Sequence, residues 1–464
     1  MSENLKTTWA NKAAFFLLCI TIVWTTLAYG TVHQPFIALF YLVITLIIIF
    51  WAIDAFASRA LRFDKSLVQI PILAVSVYAL VQIIPFGSLA EIGGVSGIPR
   101  TISLDTFWTK VYALHFFAMF VFLAALLAFI DSASRLKKLV WLITIFGFLF
   151  SFFAILQAVL SPEKIYGLYD AVNKNPFGSF VNRHNFAAVI EMAIAVPLGM
   201  MFVGAVEKDR RLLFITAIGL MGVALILSGS RGGLVALLAE VCFLIILTTK
   251  TKNYNQFVLK ISLSVALIAI IIVGAVLVGG ESSLTRISET VGSDNVTSGR
   301  TEIWNVTLQI IKNNLPFGVG IGAYSVAYTP YDTYNGLARV EQAHNDYLQV
   351  LTDAGLVGLL IGAAFLFLLF KTGLKNVNTK NTFRRGVAVG ALAGCFAVLV
   401  HSFFDFVLHT TAISVLFLTL TALVVVSGRN YADDEEIIVK KRRKRPADNV
   451  APFEAKKITK RSAD

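Results

Sequence analysis

The chain has 464 residues, of which 57% are hydrophobic and only 15% charged, with a formal net charge of +12. A soluble chain of this length carries about 25% charged residues to cover its surface, so the composition excludes an ordinary soluble fold and makes lipid the solvent for much of the polypeptide. The positive excess does not indicate nucleic acid. It is spread over short connections and a C-terminal run, Lys440-Lys441-Arg442-Arg443-Lys444-Arg445, with no aromatic or structured companion.

Backbone groups in hydrocarbon must be paired internally, so spans are helices or a closed barrel. The apolar runs here are around 20 residues long and do not alternate, which selects helices. The expected fold is an all-α polytopic bundle of about twelve spans: 13–30, 35–57, 67–84, 111–130, 139–160, 184–206, 212–229, 232–249, 257–279, 347–370, 386–407 and 411–427. The first run is expected to remain a span rather than a cleaved leader, because Gln34 and Pro35 lead straight into the next. Four regions follow: nine helices over 1–279, a large outer segment over 280–346, three helices over 347–428, and a basic tail over 429–464 that is expected to be disordered.

Alternate connections carry the basic residues: Lys6 and Lys12; Arg59, Arg62 and Lys65; Arg135, Lys137 and Lys138; Lys208, Arg210 and Arg211; Lys250, Lys252 and Lys260; Lys371, Lys375, Lys380, Arg384 and Arg385; then the tail. The remaining connections are longer yet poorer in Lys and Arg. The positive-inside rule makes both termini cytoplasmic and sends the longer connections outward. The tail is also suited to anionic membrane lipids. Within 280–346, Ser298-Gly299-Arg300 reads as a helix start, Trp304, Leu308 and Ile311 share one helical face, and Asn313-Asn314 with Pro316 close that helix. Gly318, Gly320 and Gly322 have no preceding strand, so they predict a flexible turn and not a dinucleotide fingerprint.

Ionisable groups near a bilayer are costly and call for a reason. Four clusters fall on the outward side. Asn182-Arg183-His184-Asn185 opens the sixth span, where a helix N-terminus and a guanidinium favour a phosphate; interfacial anchoring is the plainer alternative. Ser228-Gly229-Ser230-Arg231-Gly232-Gly233 joins two spans almost without a loop, and Arg231 reads either as a snorkelling turn residue or as a clamp for diphosphate oxygens. Arg286 and Arg300 lie in the large outer segment, Arg286 with the weaker case because a surface arginine is ordinarily just solvated. Glu341-Gln342-Ala343-His344-Asn345-Asp346-Tyr347 places an imidazole, readily poised near neutral pH, among polar groups at a water–lipid boundary. A smaller group, His401, Asp405 and His409, has the spacing of one helical face and suits a hydrogen-bonded helix contact or a metal, though nothing else signals a metal. Cys19, Cys242 and Cys395 all fall in apolar runs, which argues against disulfides or a cysteine metal site.

In order along the chain, Ser228-Gly229-Ser230-Arg231-Gly232, Gly299-Arg300-Thr301-Glu302-Ile303-Trp304, Pro316-Phe317-Gly318-Val319-Gly320 and His344-Asn345-Asp346-Tyr347-Leu348-Gln349, followed by Gly355 and Gly358, resemble the O-antigen ligase and polysaccharide polymerase superfamily of bacterial inner-membrane proteins. The resemblance covers most of residues 180–410. It implies a glycosyltransferase acting on glycans carried by undecaprenyl diphosphate at the periplasmic face. The acceptor is then a lipid A–core sugar for a ligase or a second lipid-linked glycan for a polymerase. By the same resemblance His344 matches the essential histidine and Arg231 and Arg300 the essential loop arginines, with Arg183 a looser match; read from the residues themselves, Arg286 is a further diphosphate-binding candidate and Asn345, Asp346 and Glu341 are orienting or acceptor-binding candidates. The donor's own diphosphate supplies the energy, so no cofactor and no metal are expected, and inversion at the anomeric carbon follows from attack opposite the leaving group. Two readings of other classes remain: a transporter, which predicts charges or broken helices near the bilayer midplane, and a structural assembly subunit, which has no use for arginines and a histidine converging on one side.

Overall fold

The computed structural model describes residues 7–92, 94–171, 176–249, 300–332 and 339–431, with Val258, Ile261 and Val265. The expected span 257–279, Arg286, Ser298 and the Lys440–Arg445 run lie outside the described residues, the three isolated positions apart. The helices are α1 (Trp9–Leu27), α2 (Gln34–Ser58), α3 (Ile70–Gln82), α4 (Thr106–Phe129), α5 (Ala133–Leu160), α6 (Arg183–Val203), α7 (Arg211–Leu227), α8 (Arg231–Thr248), α9 (Arg300–Asn314), α10 (Tyr324–Tyr328), α11 (Asp346–Asn376), α12 (Thr382–His401) and α13 (Thr411–Val426). Two small antiparallel hairpins, β1 (Ala90–Ile92) with β2 (Val95–Ile98) and β3 (Lys164–Ile165) with β4 (Tyr169–Asp170), sit in connections. The protein is an all-α polytopic bundle: among the described residues nine helices are long and apolar enough to cross a bilayer, and α3 and α13 are shorter apolar helices.

Polar residues start these helices where apolar runs begin. Thr8, Asp105, Ser132, Asn182, Ser230 and Asn381 each accept a hydrogen bond from a backbone N–H of the following first turn. Gly204, left-handed at φ 73°, ends α6. Burial orders the bundle: 83% of the apolar window of α6 is inside the protein, against 17% for α2, so α6 is central and α2 faces lipid.

The partner of α6 is α12, which carries Gly386, Gly390 and Gly394 four residues apart on one face. Lipid tails give no hydrophobic gain for helix pairing, so close backbone approach through small residues supplies it by packing. A methyl group added at Gly199 of α6 would overlap the Gly390 backbone, and one at Gly390 would overlap Ala195 and Val196. Gly390→Leu should therefore destabilise the bundle by roughly 1–3 kcal/mol or more, read as a lower melting midpoint of the purified protein in detergent; an unchanged midpoint would contradict this packing. The antiparallel pair brings the start of α6 and the end of α12 to the same end of the bundle. There His401 Nδ1 and Glu191 Oε2 share a fully buried 3.0 Å hydrogen bond.

The opposite end is tied by ion pairs: Arg62 to Asp54 at 2.9 Å and to Asp131 at 3.4 Å, Arg135 to Asp131 at 3.3 Å, and Arg429 to Asp64 at 2.7 Å. These are the basic connections, so the two ends differ chemically.

Helix α11 is broken at Gly355 (φ 59°, ψ −153°). The backbone groups freed by the break are taken by the glycine-rich segment: Val319 N donates to Thr352 O at 2.9 Å, Gly320 N to Asp353 O at 3.0 Å, and Leu356 N to Pro316 O at 2.8 Å. Gln82 of α3 stitches both strands of this join, its Nε2 donating to Phe317 O at 3.1 Å and Asp353 O at 3.0 Å while its Oε1 accepts from Ile321 N at 3.0 Å. The expected flexible turn over Gly318, Gly320 and Gly322 is thus a packed one. All three glycines have positive φ, and a Cβ at any of them would overlap Asp353, Ser103 or Tyr112 respectively. On α9 the buried stripe is Val306, Thr307, Ile310 and Ile311, packed against α10 and the start of α11, whereas Leu308 of the expected Trp304–Leu308–Ile311 face is 52% exposed.

Candidate functional site

Four segments meet at the His344 end. The first is the approach to α11. Trp304 Nε1 of α9 donates to Ala343 O at 2.9 Å, and Ala343 N donates to Gln349 Oε1 at 2.7 Å, so the residue before His344 is held on both backbone groups. His344 itself adopts φ +50°, a left-handed conformation uncommon for a residue with a Cβ. Strain of this kind persists where surrounding structure over-determines the backbone, as it does here.

The ring of His344 is held from across the bundle. Its Nδ1 lies 3.0 Å from Asp405 Oδ1, in the turn between α12 and α13. Asp405 is 2% exposed at its side chain, and its other oxygen lies 3.3 Å from Arg300 Nη2 and 4.0 Å from His184 Nε2. Burial works against a charge on Asp405, but the His344 hydrogen bond and the Arg300 and His184 charges outweigh it and hold this carboxyl well below the usual carboxylate range. Arg300, at the start of α9, also donates through Nη1 to Phe404 O. One buried carboxylate therefore joins an imidazole and a guanidinium that are 44 residues apart in sequence.

The remaining two segments are the start of α6 and the α7–α8 turn. His184 Nδ1 is 2.8 Å from Ser230 Oγ, and the Arg183 guanidinium lies over Gly229, whose φ of 66° permits the turn. Gly232 sits against His401 and Phe404, with no room for a Cβ. This packs the Arg231 turn against the turn that carries Asp405. Nη1 of Arg231 is buried with no hydrogen-bond partner among the described residues. A buried guanidinium N–H without an acceptor is expensive, and an anion would satisfy it.

Of the sequence candidates, His344 and Arg300 are brought together directly, and Arg183 and Arg231 flank them on the adjoining turns. Asn345 is occupied otherwise: it caps α11, accepting from Tyr347 N and Leu348 N at 3.0 Å each, and donates to Phe403 O at 3.0 Å. Asp346 accepts from Ser402 Oγ at 2.8 Å, Leu408 N at 3.1 Å and His409 Nδ1 at 2.7 Å. Among the described residues neither hydrogen-bonds the His344 ring. Glu341 is 69% exposed at its side chain and pairs with Arg339 at 3.8 Å. His401, Asp405 and His409 do not share a helical face, because α12 ends at His401 and the chain turns sharply; each takes a different partner. Among the described residues no group of three or more His, Cys, Asp or Glu is arranged to hold a metal.

Arg231, Arg300 and His344 all fall within residues 216–363, while Arg183, His184 and Asp405 fall outside. No curated protein matches the chain. Residues 216–363 match the family model described as O-Antigen ligase, so this part of the chain is similar to that family.

Proposed function

We propose that this protein is an inverting glycosyltransferase of a bacterial inner membrane, moving a glycan from undecaprenyl diphosphate to an acceptor hydroxyl at the periplasmic face, with lipid A–core as the acceptor. The observation that carries this reading is the buried Asp405 carboxylate joined to both His344 and Arg300 beside the unsatisfied Arg231 Nη1. The orientation follows from the basic connections at the far end of the bundle, which by the positive-inside rule face the cytoplasm together with both termini.

The chemistry is as follows. The acceptor O–H gives its proton to His344 Nε2. The oxygen then bonds to the anomeric carbon from the face opposite the leaving group. The bond from that carbon to the phosphate oxygen breaks, and its electron pair leaves on undecaprenyl diphosphate. Negative charge grows on the diphosphate, and Arg231 and Arg300, with Arg183, stabilise it as preorganised dipoles and charges at a water-poor site. Guanidinium groups fill the cationic role, so no metal is required. Asp405 at Nδ1 keeps the proton on that nitrogen, leaves Nε2 free as the base, and stabilises the imidazolium once formed.

Asp405→Asn should lower kcat on the order of 10²-fold or more, with the protein still inserted and folded. Initial rates with purified protein would check this, and a loss below threefold would remove Asp405 from the mechanism. The class of acceptor is tested by deleting the gene and analysing lipid-linked glycan. Full-length glycan retained on its carrier supports a ligase, single repeats on the carrier support the alternative polymerase, and wild-type glycan throughout overturns both.

A further inference from the structure

His344 also borders a cavity of about 840 Å3 that Arg339 lines but none of Arg183, Arg231 and Arg300 does. The cavity wall combines Tyr41 of α2 and Trp108, Tyr112 and His115 of α4 with residues 339–342 before His344, and is closed by Phe406 and His409 from the α12–α13 turn. Flat aromatic faces with a few convergent polar groups are the make-up of a small-ligand site, and here the ligand must place an oxygen next to His344.

A second imidazole–carboxylate pair faces the same space. His409 Nδ1 is 2.7 Å from Asp346 Oδ1. The two pairs cross: His344 reaches Asp405, and Asp346, two residues on, reaches His409. Asp346 is 5% exposed and has two further donors, Ser402 and Leu408, so its position is fixed and with it the His409 ring. With Nδ1 engaged, Nε2 is the ring nitrogen available to a ligand. Burial works against a charged His409, yet the hydrogen bond and charge of Asp346, helped by Asp353, raise its pKa above the ordinary imidazole value. The ring is thereby held in place with Nε2 free to hydrogen-bond a hydroxyl.

We propose that this cavity takes the acceptor saccharide, that His409 Nε2 hydrogen-bonds a hydroxyl of that saccharide, and that Trp108 offers it a stacking face. The inference rests on the glycosyl-transfer reading. It adds that acceptor recognition draws on α2, α4 and the α12–α13 turn, outside residues 216–363, together with residues 339–342 within them.

The test uses the full-length protein in lipid nanodiscs with undecaprenyl-diphosphate-linked glycan as donor. The acceptor is lipid A–core glycolipid from the gene-deletion strain in one series and lipid-linked single repeats in a second. In whichever series transfers, His409→Phe and Trp108→Ala should each raise the KM for acceptor about tenfold or more while the KM for donor moves less than twofold, and His409→Gln, which retains a hydrogen-bonding side chain, should recover part of the loss. A purely structural Asp346–His409 tie would lower the melting midpoint and raise both KM values together, and that result overturns the proposal. So does an unchanged acceptor KM in both Trp108→Ala and His409→Phe with transfer intact, which leaves the glycosyl-transfer reading standing. If wild-type protein transfers in neither series, the functional reading falls and this inference with it.

Discussion

Replacing His344 with alanine should abolish glycan transfer in a deletion strain carrying the variant, while the protein accumulates in the membrane at the wild-type level. A general base is worth about 10²–10⁴-fold. The ring is one-third exposed, with a single hydrogen bond to Asp405, so its removal leaves no large cavity in the bundle core. The positive φ of His344 does not forbid alanine, since the flanking Ala343 and Asn345 are each pinned by their own hydrogen bonds. The check is extraction of surface and lipid-linked glycans. Normal surface polysaccharide in that strain would remove His344 from the chemistry, and loss of the protein from the membrane would assign it a folding role instead.

Arg300→Ala should be nearly as damaging, and Arg300→Lys should not restore activity. The guanidinium spans two acceptors at once, Phe404 O through Nη1 and Asp405 Oδ2 through Nη2. An ammonium is a point charge that satisfies one such geometry at a time, without a planar fork to offer phosphate oxygens. Removing the cation also leaves the buried Asp405 with two imidazoles and the Phe406 backbone N–H but no permanent charge, a change of the kind that costs about 3–5 kcal/mol when one member of a buried pair is lost. The expected result is a fall in kcat/KM of at least about 10²-fold for alanine, with lysine recovering less than a tenth of wild-type activity. Lysine at wild-type rate would mean that Arg300 supplies charge alone.

Much of this architecture was legible from the residues. Hydrocarbon demands long apolar runs, so eleven of the twelve expected spans coincide with helices α1–α8 and α11–α13, and the twelfth falls on residues outside the described ones. What the sequence did not reveal is pairing at a distance. Asn345 and Asp346 were natural candidates to hold the His344 ring because they adjoin it, but a residue that starts a helix turns its neighbours' side chains to other tasks: Asn345 caps α11, and Asp346 reaches His409. Asp405 carried a signal, a lone carboxylate in the apolar turn Phe403-Phe404-Asp405-Phe406, which calls for a cation nearby; it was obscured by a regular spacing with His401 and His409 that the end of α12 breaks. Gly318, Gly320 and Gly322 looked permissive for the same reason that they are required: each lies where a neighbouring segment leaves no room for a Cβ. Glu191, fully buried in α6, was hidden within an otherwise apolar run, and its partner His401 is 210 residues away.

The most direct measurement of the central claim follows undecaprenyl diphosphate itself. Purified protein in nanodiscs, given lipid-linked glycan and an acceptor glycolipid, should release one undecaprenyl diphosphate for each glycan transferred, and Arg231→Ala, Arg300→Ala and His344→Ala should suppress both products together. Glycan transfer at the wild-type rate by those three variants, or movement of the lipid-linked glycan across the bilayer with its diphosphate linkage intact, would contradict the account.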